Sequence, residues 1–253
     1  YYQNNTQGTL ALMHDCKIQN VNTFVFASSA ACYGEVEDGI CRVTDKNEPT
    51  NPYGYSKRMT EVMLNDFARA YGMNSVSLRF FNVAGADSDG EMGQEKAATH
   101  IIARVMESAI AEETFTFYGN NYPTPDGTCI RDYIHVEDIA SGIKCSLDFL
   151  KDNTGAHIFN LGSGQGNSNK EIVDAVALQT PLMVKTAFTE ARAGDPAILV
   201  ADTKATEKLG WVPEHGLDSI VYTAYNWYMK TKTASTPNEV RDAYLHSTTT
   251  STS

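Results

Sequence analysis

Short apolar runs rich in β-branched and aromatic residues alternate with helical stretches, and that alternation limits the fold of this chain more than any other feature. Residues 23–27, Thr-Phe-Val-Phe-Ala, form one run, and residues 75–82, Ser-Val-Ser-Leu-Arg-Phe-Phe-Asn, form another. Both read as strands covered on two faces, the habit of a parallel sheet flanked by helices. Between them, residues 53–71 place Met59, Val62, Met63, Phe67 and Ala70 on one helical face. Further strands are expected at 115–118 and 157–161, with helices over 1–20, 99–111, 137–150 and 169–178. This order predicts an α/β fold with a doubly wound, mainly parallel sheet. Ligands of such sheets bind beyond the carboxyl ends of the strands, which would gather Ser29, Tyr53 and Asn82 at one edge.

Tyr53 and Lys57 open the second helix in the segment Asn51-Pro52-Tyr53-Gly54-Tyr55-Ser56-Lys57, just downstream of the strand end at Ser28 and Ser29. Residues i and i+4 share a helix face, so phenol and ammonium can reach one small site. A phenol ordinarily ionises near pH ~10. An ammonium ~4 Å away at an effective dielectric of ~20 favours the phenolate by about 4 kcal/mol before desolvation reduces it. The pair is then a plausible base for an alcohol. On its own it is a common surface arrangement, and the two neighbouring strand ends are what turn the reading towards catalysis.

Composition narrows the alternatives. At 42% hydrophobic and 20% charged residues, the 253-residue chain suits a globular enzyme of one large or two small domains. A net charge of −11 argues against nonspecific nucleic-acid binding. No apolar run approaches the ~20 residues of a membrane span. The five cysteines show no Cys-x-x-Cys spacing, so neither a disulfide framework nor a zinc site is expected; they read as reduced thiols of a cytoplasmic protein. Glycines at 162, 164 and 166 resemble a dinucleotide loop but miss its spacing, because Asn167 stands where a third glycine is needed. They read as a tight strand-to-helix turn. Asp132 and His135 read as residues that cap or brace the following helix.

Ordered motifs carry a closer likeness. They are Tyr1-Tyr2-x-Asn4-Asn5, Ser28-Ser29-Ala30-Ala31-Cys32-Tyr33-Gly34, Pro52-Tyr53-Gly54-x-Ser56-Lys57, Arg79-Phe80-Phe81-Asn82-Val83 and Tyr118-Gly119-Asn120-Asn121-Tyr122. Downstream come Arg131-Asp132-Tyr133-Ile134-His135-Val136 and Arg192-Ala193-Gly194-Asp195-Pro196. Over roughly residues 1–230 the chain resembles the extended short-chain dehydrogenase/reductases, and within them the UDP-glucose 4-epimerases. The glycine loop that opens such proteins, and the acidic residue for the adenosine ribose, have no match here, so a piece of a longer chain is expected. The resemblance implies a Rossmann-like domain lacking its glycine-loop unit, built from 1–82 and 133–178. It also implies a UDP-sugar-binding domain from 83–132 and 179–235, and a tail, 236–253, whose end is expected to be disordered.

The same resemblance implies reversible epimerisation at C4 of UDP-glucose and UDP-galactose through a 4-keto sugar, with bound NAD. Tyr53, Ser29 and Lys57 would be catalytic; Asn4 and Phe81, with Ser29, Tyr53 and Lys57, would contact the cofactor. Ser29, Asn82, His100, Thr116, Phe117, Tyr118, Arg131, Arg192, Asp195 and Leu199 would meet the substrate. Among these, the two arginines suit a diphosphate, Asp195 a ribose hydroxyl, and residues 116–118 the uracil. Leu199 would gate the sugar. A homodimer through helices 1–20 and 53–71 is implied, and no metal. The alternatives are a 4-epimerase of another UDP-sugar (N-acetylhexosamine, pentose or uronate) and an inactive nucleotide-sugar-binding fragment. Poor solubility of the chain by itself is a further expectation.

Overall fold

The computed structural model describes residues 1–95, 99–192 and 194–233. A wide π-helical turn at Tyr2–Gln7 leads into helix α1, Gly8–Ile18, so the helix expected over 1–20 has an irregular start. Strand β1 follows at Thr23–Ser29, then a single 3-10 turn at Ala30–Cys32 and the short strand β2, Ile40–Cys41. Helix α2, Pro52–Tyr71, starts where chemistry dictates. Asn51 caps it by accepting from the Gly54 amide at 2.9 Å, and Pro52 lacks the N–H that would otherwise go unpaired. Gly72, at φ +71°, closes the helix in the left-handed conformation.

Strands β3, Asn74–Phe80, and β4, Asn82–Ala84, divide the single run expected at 75–82, because the backbone breaks step at Phe81. Then come α3 (Ile101–Ile110), β5 (Thr114–Tyr118), β6 (Ile130–His135), α4 (Val136–Phe149) and β7 (Ala156–Leu161). The chain continues through β8 (Gly166–Ser168), α5 (Asn169–Gln179), β9 (Lys185–Thr189), β10 (Ile198–Ala201) and α6 (Leu217–Thr233). The fold is α/β with mainly parallel sheets, as expected. Strands β1, β3 and β7 form one parallel sheet in that order. A second sheet runs β2-β10-β6-β4, with β8 antiparallel on β6, and β5 pairs with β9.

The glycine-rich segment after β7 is not the direct turn into a helix that the sequence suggests. Residues 162–164 wrap the buried Asp132 carboxylate, and β8 intervenes before α5. Asp132 accepts from the amides of Ser163, Gly164 and Ala201 at 2.7, 3.0 and 3.1 Å. It therefore ties β6 to β7 and β10 rather than bracing its own helix. A Cβ at Gly162 would lie 2.5 Å from an Asp132 oxygen, so only glycine lets the turn close over that carboxylate. His135 does cap α4, its Nδ1 accepting from the Glu137 amide at 3.1 Å.

Two apolar clusters organise the interior. In one, Val76, Leu78, Phe159 and Leu161 of the first sheet pack with Ile139 of α4 and with Leu209 and Trp211. In the other, Ile102 and Met106 of α3 meet Phe115 and Phe117 of β5, Ile172 and Val176 of α5, and Ile220 of α6. Packing thus places Ile172, Val173 and Val176 of α5 in the second cluster and Leu209 and Trp211 in the first. The tail at 236–253 lies outside the described residues. Among the described residues no helix is long and apolar enough to cross a membrane.

Candidate active site

Three local features bring Ser29, Tyr53 and Lys57 together. Ser29 ends β1, and its Oγ accepts from the Ala31 amide at 3.2 Å, which leaves its hydroxyl hydrogen to donate elsewhere. Tyr53 lies in the first turn of α2, with Lys57 one turn on. The Lys57 ammonium donates to the Ala27 carbonyl at 2.8 Å, anchoring α2 to the end of β1, and stands 5.7 Å from the Tyr53 ring centroid. Burial lowers the Lys57 pKa from its ordinary value, with the nearby Cys32 acting weakly in the other direction. Gly54 permits the close fit of helix on strand end: a Cβ there would lie 2.3 Å from the Ala31 carbonyl oxygen. The Tyr1 ring packs edge-on against Tyr53, with centroids 5.4 Å apart.

A cleft of about 520 Å³ opens over these residues. Ser29, Tyr53 and Lys57 form one wall, and Phe80, Phe81, Asn82 and Val83, from the β3–β4 junction, form another. His100, at the start of α3, and Asp195 and Leu199, around the start of β10, complete it. A larger depression of about 630 Å³ lies between Val36 and Ile198, but Glu35, Glu37 and Asp38 rim it and none of the expected residues lines it. An acidic rim repels an anionic ligand, which makes the smaller cleft the candidate site.

Asp195 also borders a second, smaller cavity of about 100 Å³ lined by Thr116, Phe117, Tyr118 and Arg192. The Phe117 ring is buried at 4% exposure and stacks on Phe188, so it backs this cavity from the core. Tyr118 faces outward with the Arg192 guanidinium 4.0 Å above its ring. Hydrogen bonding from Arg192, then the charge of Arg104, holds the Tyr118 pKa below the ordinary phenol value.

Arg131 and Asp195 are not separate, waiting groups. They pair with each other, Nη2 to Oδ1 at 2.6 Å, although 64 residues apart in the chain. Arg131 itself lines neither cavity. Asn4 is exposed and outside the cleft, while its neighbour Asn5 donates to Ser56 at 3.0 Å.

Sequence reasoning missed two parts of this arrangement. Arg104 of α3 and Asn169 of α5 also line the smaller cavity. An arginine among the apolar residues that open α3 was the available signal. The second omission is a buried network beneath β1. There Ser28 donates to Glu61 at 2.7 Å, Glu61 pairs with Arg79 at 2.6 Å, and Arg79 stacks over Tyr33 at 4.4 Å. A charge alternating among apolar residues of β3 could have revealed it. His135, Glu137 and His215 bring potential metal-ligand atoms within 4.8 Å. Both His135 nitrogens are already engaged, with the Glu137 amide and with Thr223 Oγ1 at 3.0 Å, so the cluster acts as a helix cap.

The chain is 43% identical over 231 residues to UDP-glucose 4-epimerase of Azospirillum brasilense, covering 90% of this chain and 66% of that protein. The crystal structure of UDP-glucose 4-epimerase from Brucella ovis in complex with NAD matches with a TM-score of 0.85 and 42% identity, over 89% of this chain and 70% of that one. The Bifidobacterium longum enzyme in complex with NAD+ and UDP matches at 0.84 and 35%, over 92% and 71%. Residues 1–162 carry the pattern of one named group, and the chain belongs to the NAD dependent epimerase/dehydratase family.

Proposed function

We propose that this chain catalyses the reversible, NAD-dependent epimerisation at C4 of a UDP-hexose, interconverting UDP-glucose and UDP-galactose, a step of galactose metabolism. One observation carries the reading: a hydroxyl, a phenol and an ammonium converge at one strand end, across a cleft from Asn82, His100 and Leu199. The residues fit the nicotinamide end of a dinucleotide. Lys57 spends one donor on Ala27 and keeps others for ribose hydroxyls, while Phe80, Phe81 and Val83 offer an apolar wall for a flat ring. NAD, when bound, supplies hydride acceptance and return.

The rest of the chemistry falls to the side chains. Tyr53 takes the proton of the sugar 4-hydroxyl and, once the flat 4-keto sugar has turned its other face to the cofactor, returns it to the 4-keto oxygen. Ser29, its oxygen fixed by Ala31, donates to the same sugar oxygen and holds it at Tyr53. Lys57 orients the ribose through the donors that Ala27 does not take. Arg131 and Arg192 serve the diphosphate through their planar forks, with Asn82 beside them, and Asp195 takes a ribose hydroxyl. Residues 116–118 hold the uracil. Asn4 belongs at the cofactor's edge, and Leu199, with His100, bounds the sugar.

A side chain of leucine's bulk at the sugar's edge favours the unsubstituted hexoses. Product analysis with UDP-glucose, UDP-galactose and their N-acetylated counterparts tests this: conversion of the first pair is expected, and exclusive turnover of the acetylated pair would refute the preference. Bound NAD, read by absorbance or fluorescence of the purified protein, is expected at one per chain. Absence of both cofactor and turnover would leave only a nucleotide-sugar-binding role.

The partner we infer is a second copy of the chain. Tyr55, Met59 and Val62 form an exposed apolar stripe on α2 at 45, 43 and 44% exposure, and Leu12 of α1 is 53% exposed. Light scattering should give twice the chain mass. The five free cysteines suit a reducing compartment, and we place the reaction in the cytoplasm.

A further inference from the structure

The smaller cavity contains a group that the proposed reaction does not use. Arg104 is half-buried on α3, whose buried residues are Ile102, Ala103, Val105, Met106 and Ala109. Its guanidinium lies 5.6 Å from the ring centroids of both Phe115 and Tyr118, and it lines the cavity together with Asn169. With Arg192 over the same phenol, two cations flank one ring, and both draw the Tyr118 pKa down.

Beside the hydroxyls of Thr99, Thr116 and Tyr118, which can donate or accept, the side chains of Arg104, Arg192 and Asn169 bring an excess of donors to this space. A guanidinium carries five N–H groups and no acceptor. The Asn169 Oδ1 accepts from the Tyr133 hydroxyl at 3.3 Å, which leaves the amide hydrogens for the cavity. Among the described residues the one carboxylate at its rim, Asp195, is held by Arg131 at 2.6 Å. A volume of about 100 Å³ with aromatic walls suits a single flat ring. Donor-lined walls ask that ring for carbonyl oxygens, and a ring that presents an amino group there would set donor against donor.

We propose that Arg104 reads the nucleotide base, donating to the uracil carbonyl that cytosine replaces with an amino group. The inference rests on the reading of this cavity as the base site and adds the residue that selects uracil.

Calorimetric titration of the chain and of its Arg104→Met and Arg104→Lys variants with UDP and with CDP tests it. The wild-type chain should prefer UDP. Losing a hydrogen bond from a charged donor should weaken UDP about tenfold or more in Arg104→Met while CDP changes less than about twofold, so the preference collapses. Lysine keeps the charge but not the fork, and should restore little of the preference. If Arg104→Met weakens UDP and CDP equally, the arginine contacts the phosphates instead and the inference falls. It also falls if both variants keep the wild-type preference while UDP binding stays intact. If the wild-type chain binds neither nucleotide, the assignment of the cavity fails as well.

Discussion

Glu61 of α2 and Arg79 of β3 meet in an ion pair from which solvent is wholly excluded, Nη2 to Oε2 at 2.6 Å with both side chains 0% exposed. A second hydrogen bond, Nε to Oε1 at 2.8 Å, makes the contact bidentate, and Ser28 and Arg58 satisfy the remaining carboxylate positions. Burial is the largest single influence and would push the Glu61 pKa up; the hydrogen bonds and charge of Arg79, with hydrogen bonds from Ser28 and Arg58, together outweigh it, and the net direction is down. The pair fixes α2 against the sheet directly beneath the strand end that carries Ser29.

Breaking this pair from one side strands a buried charge. Glu61→Gln or Arg79→Met should each cost about 3–5 kcal/mol, read from urea denaturation midpoints. The double variant should cost less than the two single losses added together, because neither partner is then left unpaired. Additive losses would show that the two groups act independently.

If Tyr53 handles the proton as proposed, Tyr53→Phe should lower kcat by about 10²- to 10⁴-fold. Its melting temperature should stay close to that of the parent, since the hydroxyl faces the cleft rather than the core. Undiminished turnover would overturn the assignment.

Gly54→Ala places a methyl group 2.3 Å from the Ala31 carbonyl oxygen and 2.9 Å from the Pro49 Cβ. Neither neighbour is the end of a flexible chain, so the first turn of α2 must lift. A loss of about 1–3 kcal/mol is expected. Activity should fall further than stability explains, since Tyr53 moves with that turn; steady-state kinetics at a temperature where the variant is folded would show it.

His135 predicts a pH dependence. Burial first, then the neighbouring His215, lowers its pKa below the ordinary value, against weaker opposing pulls from Glu137 and Asp138. The unfolded chain therefore takes up a proton near pH ~6.5, where the folded chain still resists it. Stability from this residue is complete above that pH and declines as the solution is acidified below it, by at most about 1.4 kcal/mol per pH unit. Melting temperatures between pH 8 and pH 5 should show the decline. His135→Asn keeps a cap acceptor that does not titrate and should flatten the slope.

The site was unevenly legible in the sequence. Tyr53 and Lys57 could be read because four residues of helix fix their relation without help from the rest of the chain. Ser29 and Asn82 could be read because apolar runs mark strands, and strand ends in parallel sheets are where ligands bind. The motif likeness then supplied Arg131, Arg192 and Asp195 as separate groups. It gave no hint that Arg131 and Asp195 hold each other, nor that Asp132 serves the 162–164 turn. Arg104 escaped because periodicity sorts apolar faces and is silent about an isolated charge.

What the chain determined by itself is whatever depends on neighbours within a turn or two: the strand and helix alternation, the Asn51 cap, the phenol–ammonium spacing. Those preferences come from backbone geometry and local hydrogen bonds, which act before distant segments meet. Only the tertiary structure decided which surfaces came together. The Glu61–Arg79 pair, the Arg131–Asp195 pair across 64 residues and the placement of Arg104 beside Tyr118 exist because helices and sheets buried their apolar faces against particular partners. The free energy that selects those partners is spread over the packed core and written in no short stretch of residues.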